Sequence, residues 1–286
     1  MGSETSLDLT DQVSRLVSRK MLIADSEACR AFLYDNNYYR LAGLWRSYQE
    51  DPDKGLNDFT RGISIEDVEE ISDFERCARS VLSDGLLRFE MVLKARLAFQ
   101  LASSEGGPFA YLDRSSYVVL NRGPRVDGLL KKIGMQLTDS RDTFIVHARN
   151  KNRKIPIWAA VEVLSFGTIS SLYSQLNDDA LRYRISTSFG FDKIGHFSTV
   201  IHTLSLLRNI CAHGGRLWNR SLPVPPPISI STPQPDFEPH SLMARIVHLR
   251  MILERIDGRN SSDIRAIDDA LKRSTKFTSE ISYPSL

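Results

Sequence analysis

The residues best suited to chemistry lie between Ile194 and Arg220, IGHFSTVIHTLSLLRNICAHGGRLWNR, where Arg208, Asn209 and His213 fall close together. Wound as a helix at about 100° per residue, this segment puts Phe197, Val200, Leu204, Leu207 and Cys211 about 120° to 180° away from Asn209 as one apolar stripe. His202, Ser205 and His213 fall within about 40° of Asn209. A polar stripe His202-Ser205-Asn209-His213 therefore runs along the opposite face, with Arg208 at its flank and long enough to swing toward it. Gly214-Gly215 ends the helix just past His213, in the last turn, where the negative end of the helix dipole favours the imidazolium form. A histidine that titrates near neutral pH is an acid/base group, and an arginine beside it can carry charge developing on a phosphate. That pair, without a metal ligand set, suits cleavage of RNA by its own 2′-hydroxyl, with Asn209 orienting either partner or the phosphate. Arg208 and His213 stand about 140° apart around one helix, so two copies joined in a dimer would present the pair better. A polar stripe is also what any amphipathic helix carries, so the spacing by itself points first to an ordinary solvated face and leaves the catalytic reading open.

Other residues could hold RNA. Arg141 and His147 repeat the loose Arg/His spacing, but the stretch between them, DTFIV, is largely apolar and a basic run, ARNKNRK, follows. Arg141, His147, Arg149, Lys151 and Arg153 are therefore read as substrate or dimer contacts rather than a second catalytic pair. Tyr38, Tyr39 and Arg40, near Trp45 and Arg46, could stack on unpaired bases beside a cation, although aromatics at helical spacing also make core. Arg216, Arg220 and His202 complete the candidate RNA contacts. Glu162, embedded in AAVEVL, would be costly to bury alone, and it is expected to pair with an arginine.

Much other chemistry is excluded by inspection. No phosphate-cradling G-x-x-x-x-G-K-[ST], dinucleotide G-x-G-x-x-G, metalloprotease H-E-x-x-H or nucleophile-elbow G-x-S-x-G occurs, nor a Cys/His cluster at zinc spacing, so no cofactor and no metal are expected. Net charge is +2 at pH 7, from 37 basic against 35 acidic residues, far from the balance of a chain that coats nucleic acid indiscriminately. Charge is patterned all the same. Residues 50–75 are strongly acidic, whereas 141–154 and 204–220 are basic, so anions could be bound locally or acidic and basic segments could meet. No run approaches the roughly 20 apolar residues that span a bilayer. The three cysteines, Cys29, Cys77 and Cys211, form no C-x-x-C, and the first residues contain no apolar leader, which fits a reducing, cytoplasmic setting without membrane partners.

The elements that must position these residues are helical. From Ile65 to Ala102, Phe74, Ala78, Val81, Leu82, Gly85, Phe89, Val92, Leu93 and Leu97 recur three and four apart, bounded by Ser64 and Asp67 at the start and Gly106-Gly107-Pro108 after the end. Further helices are expected near 8–22, 26–34, 36–49, 125–138, 157–176, 193–213, 241–256 and 261–274, with no hairpin and no useful strand. The predicted fold is all-α. Seven of the twelve prolines fall between Pro223 and Pro239, which predicts an extended linker over 221–240 after a helical domain of residues 1–220. Helices over 241–275 should pack back on the bundle, leaving 276–286 as a loose tail.

The motif RNICAHGGRLWNR, Arg208 to Arg220, resembles the terminal motif of the Abi-like (abortive infection, AbiD/AbiF-type) bacterial family, where an Arg, a polar residue and a His mark a HEPN-type site. FLYDNNYYRLAGLWRSYQ (32–49) is similar to the family's amino-terminal motif, FERCARSVLSDGLLRFEMVLKARLAF (74–99) to its long helix, and IPIWAAVEVLSFGTISSLY (155–173) to its central block. The resemblance covers about residues 10–220 and implies a HEPN-like helical bundle. It further implies a metal-independent endoribonuclease acting as toxin or phage-defence effector, with a site composed across a homodimer. Its partners would be an RNA substrate and an RNA or protein antitoxin. Arg208 and His213 take the catalytic positions and Asn209 the polar one. Many relatives carry a second His where this chain has Gly214, so any role of that imidazole is absent. A non-catalytic module binding a structured RNA or a partner protein remains the rival reading, and nucleotide transfer is disfavoured because no carboxylate pair for magnesium is evident.

Overall fold

A 38-residue helix, Ile65–Ala102, is the axis on which the other elements pack. Ser64 and Asp67 close its first turn as a capping box: the Ser64 hydroxyl accepts from the Asp67 N–H at 3.1 Å and the Asp67 carboxylate accepts from the Ser64 N–H at 2.8 Å. The computed structural model describes residues 8–118, 125–227, 236–259 and 261–285. In chain order its helices are α1 (Leu9–Ser18), α2 (Ser26–Asp35), α3 (Tyr38–Trp45), α4 (Ile65–Ala102), α5 (Arg125–Asp139), α6 (Thr143–Asn150), α7 (Ile157–Val163), α8 (Phe166–Gln175), α9 (Asp179–Ser188), α10 (Ile194–Ala212), α11 (Leu242–Asp257), α12 (Ser262–Lys272) and α13 (Thr275–Ser282). The fold is all-α. Among the described residues no helix is long and apolar enough to cross a membrane.

Leu82, Leu86, Phe89, Leu93 and Leu97 line the buried face of α4. Phe89 is the hub, its ring edge-on to Phe166, Phe189 and Phe197 of the surrounding elements at 5.7, 5.5 and 6.4 Å between centroids. On another side of α4, Gly85 lets α11 and α12 approach closely: a β-carbon there would lie 3.1 Å from Leu253 and 3.6 Å from Ile267. Both C-terminal helices thus share one core with the rest of the chain.

Several expectations are corrected. A short antiparallel hairpin, β1 (Gln49–Asp51) and β2 (Leu56–Phe59), turns through Gly55 at φ 80°, and its strands are too short and polar to show alternation. The helix expected over 157–176 breaks at Leu164, which is extended (ψ 133°), because the Ser165 hydroxyl caps the next helix by accepting from the Thr168 N–H at 3.3 Å. The described residues of the expected loose tail, 276–285, are ordered by contacts with the core; residue 286 lies outside the described residues. α13 buries Phe277 and Ile281, with Phe277 against Phe74 and Trp218, and Asn219 hydrogen-bonds Ser285.

Residues 228–235 of the proline-rich stretch lie outside the described residues. Its described flanks are tied together by the fully buried Arg245, which donates to the carbonyls of Leu222, Pro223 and Val224 on one side and Pro239 and Ser241 on the other. Burial pulls this guanidinium down to about 10. The acidic segment is answered largely by nearby cations: Asp51 by Lys54, Asp53 by Arg46, Asp58 by Lys20, Asp73 by Arg76.

Candidate active site at the end of α10

α10 stops in a Schellman motif: the Gly215 N–H donates to the Ile210 carbonyl at 2.8 Å and the Gly214 N–H to the Cys211 carbonyl at 3.2 Å. Gly214 adopts φ 65°, in the left-handed region, and its neighbour His213 forms the exposed C-cap. Replacing Gly214 by alanine is expected to cost about 1–2 kcal/mol in urea unfolding, because L-residues are strained there. The new methyl would also sit 3.3 Å from the Arg40 guanidinium. A loss below a few tenths of a kcal/mol would show that the cap is not held in this conformation.

Phe197, Val200, Leu204, Leu207 and Cys211 are buried, and His202, Asn209 and His213 are exposed. Ser205 is not part of the polar stripe. It is buried and its hydroxyl donates to the His202 carbonyl at 2.8 Å, because α10 is covered by α4, α8, α9 and α11 over a wider arc than the apolar positions alone mark.

Arg208 also differs from expectation. Rather than swinging toward the stripe, it turns to α4, where its Nε lies 3.3 Å from Glu90 Oε2. Glu90 is only 3% exposed, and its other oxygen meets Lys94 at 2.9 Å. A buried carboxylate is tolerated when cations neutralise it, and here two do. Arg208 keeps 38% of its side chain exposed, and its Nη1 and Nη2 make no hydrogen bond to other described residues. Glu90 thus holds the guanidinium through Nε while two of its nitrogens keep donors that a phosphate could accept.

A second buried carboxylate sets the chain beyond the helix. Glu75, 2% exposed, accepts from the backbone N–H groups of Leu217 and Trp218 and pairs with Arg79, whose Nη2 donates to the Gly215 carbonyl at 3.0 Å. Leu217, Trp218 and Asn219 are buried, which leaves Arg216 and Arg220 as the polar positions of RLWNR. Arg216 donates to the Gly43 carbonyl at 2.7 Å, and Arg220 to the Arg216 carbonyl at 3.3 Å. Burial, and then the neighbouring Arg220 charge, lower the Arg216 pKa. Arg40, Arg216 and Arg220 surround the end of α10 and, among the described residues, none forms an ion pair with a carboxylate.

Of the aromatic group, Tyr39 is 87% exposed beside Arg40 on α3. Tyr38 is not free to stack on a base: it is half-buried, edge-on to the core residue Trp45 at 5.3 Å. The rival pair lies elsewhere. Arg141 precedes the α6 cap residue Asp142, and His147, Lys151 and Arg153 are exposed on or just after α6. Arg149 reaches back to the Thr138 carbonyl at the end of α5. No hydrogen bond or ion pair among the described residues links this basic surface to the α10 end. Glu162 is exposed and makes no ion pair among the described residues, since α7 turns it outward beside Trp158. Among the described residues no three His, Cys, Asp or Glu side chains gather as a metal would require.

The residues that sequence reading missed are Glu75 and Glu90. Their signal was present: each interrupts an apolar register of α4, Glu75 between Ile71 and Ala78, and Glu90 beside Phe89 and Leu93. A carboxylate at a core register is buried only with partners.

An all-α bundle whose central helix pairs, through one buried carboxylate, with an arginine of the helix capped by an exposed histidine defines a helical protein with a basic helix end. Residues 31–219 match the family described as Abi-like protein, and the chain belongs to that family. Membership associates it with abortive-infection defence. The match takes in α3 to α10 and the RLWN segment, while α11 to α13 lie beyond it. No curated protein and no solved structure matches the chain.

Proposed function

We propose that the chain is a metal-independent, HEPN-type endoribonuclease of an abortive-infection system. The observation that carries this reading is the Arg208 guanidinium, paired with Glu90 through Nε and partly exposed, with no hydrogen bond on Nη1 or Nη2 among the described residues, on the helix that ends in exposed His213. Arg40, Arg216 and Arg220 around that end supply cations for a phosphate backbone. In the reaction, His213 takes the proton of a 2′-hydroxyl as that oxygen attacks the adjacent phosphorus, and Arg208 carries charge on the non-bridging oxygens. The bond to the 5′-oxygen breaks and that oxygen gains a proton, leaving a 2′,3′-cyclic phosphate and a 5′-hydroxyl. Because one helix separates the pair by about 140°, the reading includes a homodimer in which Arg208 of one copy faces His213 of the other.

The test is incubation of the purified protein with a mixed RNA pool in EDTA, beside Arg208→Ala and His213→Ala variants shown by circular dichroism to be folded. Cleavage with the stated product ends is expected from the unmutated protein, and a loss of at least about 100-fold in each variant. Cleavage that EDTA abolishes, or that both variants retain, would overturn the reading. Intact RNA together with a gel shift lost in Arg208→Ala would favour a binding module instead.

A further inference from the structure

A cavity of about 360 Å³ opens between the C-terminal half of α4 and α9. Ala95, Phe99 and Ile185 make its apolar wall, and Arg96 and Arg184 stand at its rim. On α4, Arg96 lies about 120° around and about 9 Å along from Glu90, so the cavity is distinct from the α10 end. Its volume falls within the range of small-molecule sites.

Two features point to the ligand. The first is a pair of guanidinium groups with unused donors and no carboxylate. Arg96 Nη1 donates to the Ser188 carbonyl and hydroxyl at 2.9 and 3.0 Å, and its guanidinium lies 4.3 Å from the centre of the Phe189 ring. Arg184 Nε donates to Gln100 Oε1 at 2.8 Å. Nε and Nη2 of Arg96, and Nη1 and Nη2 of Arg184, make no hydrogen bond among the described residues. Burial, then the like charges of Arg255 and Arg88, lower the Arg96 pKa, and Arg88 itself is occupied by Asp257. An anion in the cavity would relieve that repulsion. The second feature is Phe99, 69% exposed on the same cavity, an open ring of the kind bases stack on.

We propose that this cavity binds a nucleotide, with its phosphate on Arg96 and Arg184 and its base stacked on Phe99. The ligand is either a free mononucleotide or the 5′-phosphorylated end of an RNA, which share this chemistry. The proposal uses no residue of the RNA-cleavage reading and stands or falls apart from it.

The experiment is calorimetric titration of the full-length protein with AMP, GMP, CMP and UMP, with the matching nucleosides, with inorganic phosphate, and with short single-stranded RNA bearing a 5′-phosphate or a 5′-hydroxyl. At least one phosphorylated probe is expected to bind about tenfold or more tightly than its unphosphorylated match and than phosphate alone. Arg184→Gln and Phe99→Ala, both at exposed positions, should each weaken that binding about tenfold, whereas Arg76→Gln, an exposed arginine in the N-terminal half of α4, should not. Arg96→Lys adds a variant that keeps the charge over Phe189 but loses the fork. Preference for 5′-phosphorylated RNA over every mononucleotide would assign the RNA end. Absence of saturable binding, equal binding of phosphate alone, or binding unchanged in Arg184→Gln and Phe99→Ala would overturn the proposal.

Discussion

Glu75→Ala is expected to lower the unfolding free energy by about 3–5 kcal/mol, because removing one partner of a buried pair strands the other charge and its hydrogen-bond donors. Three groups lose their acceptor at once: the N–H groups of Leu217 and Trp218, and the Arg79 guanidinium. These groups hold the chain that leaves α10, so the damage reaches the positions of Arg216 and Arg220 as well as the core. Glu75→Gln keeps an acceptor for the backbone donors but not the charge opposite Arg79, and its loss should be intermediate. Urea midpoints of the two variants check the order. A Glu75→Ala loss below about 1 kcal/mol, the range of an exposed ion pair, would mean that water replaces the carboxylate freely.

Phe89→Ala should cost about as much, about 3–5 kcal/mol, by a different route. The ring is fully buried at the meeting of Phe166, Phe189 and Phe197, so truncation loses its transfer energy and its edge-on contacts and leaves a void. Phe89→Leu fills part of that void and should lose less. Thermal and urea unfolding measure both. Equal losses for Ala and Leu would show that the neighbouring rings do not hold their places around the cavity.

The sequence made α4 legible to its ends because three independent signals coincide there: a long 3.6-residue period, a capping box, and a glycine-proline stop. α6, α9 and α13 were less legible, being short segments whose buried residues number only two or three each. Leu181, Ile185 and Phe189 do recur at four-residue spacing, but polar neighbours dilute the pattern. The hairpin carries no alternation at all over three- and four-residue strands. At the α10 end, His213 and Asn209 were placed on the exposed face by angle alone. The direction of Arg208 was not legible from one helix, since Glu90, more than a hundred residues earlier, decides it. Ser205 was misplaced for a related reason: angular bookkeeping gives a residue's direction but not how many neighbouring helices cover that direction.

The seat on α4 at Gly85 is filled by Leu253 of α11 and Ile267 of α12, residues made long after α4 itself. During synthesis this side of the long helix emerges without its cover, and it stays open while α5 to α10 are produced. Closure must wait for contacts between segments widely separated along the chain, which are entropically slow to form. Every helix from α5 to α12 must therefore be made before this side of the core can close, and the α10 end, braced by the same central helix, matures with it. Timing of assembly is thus written into the order of the helices.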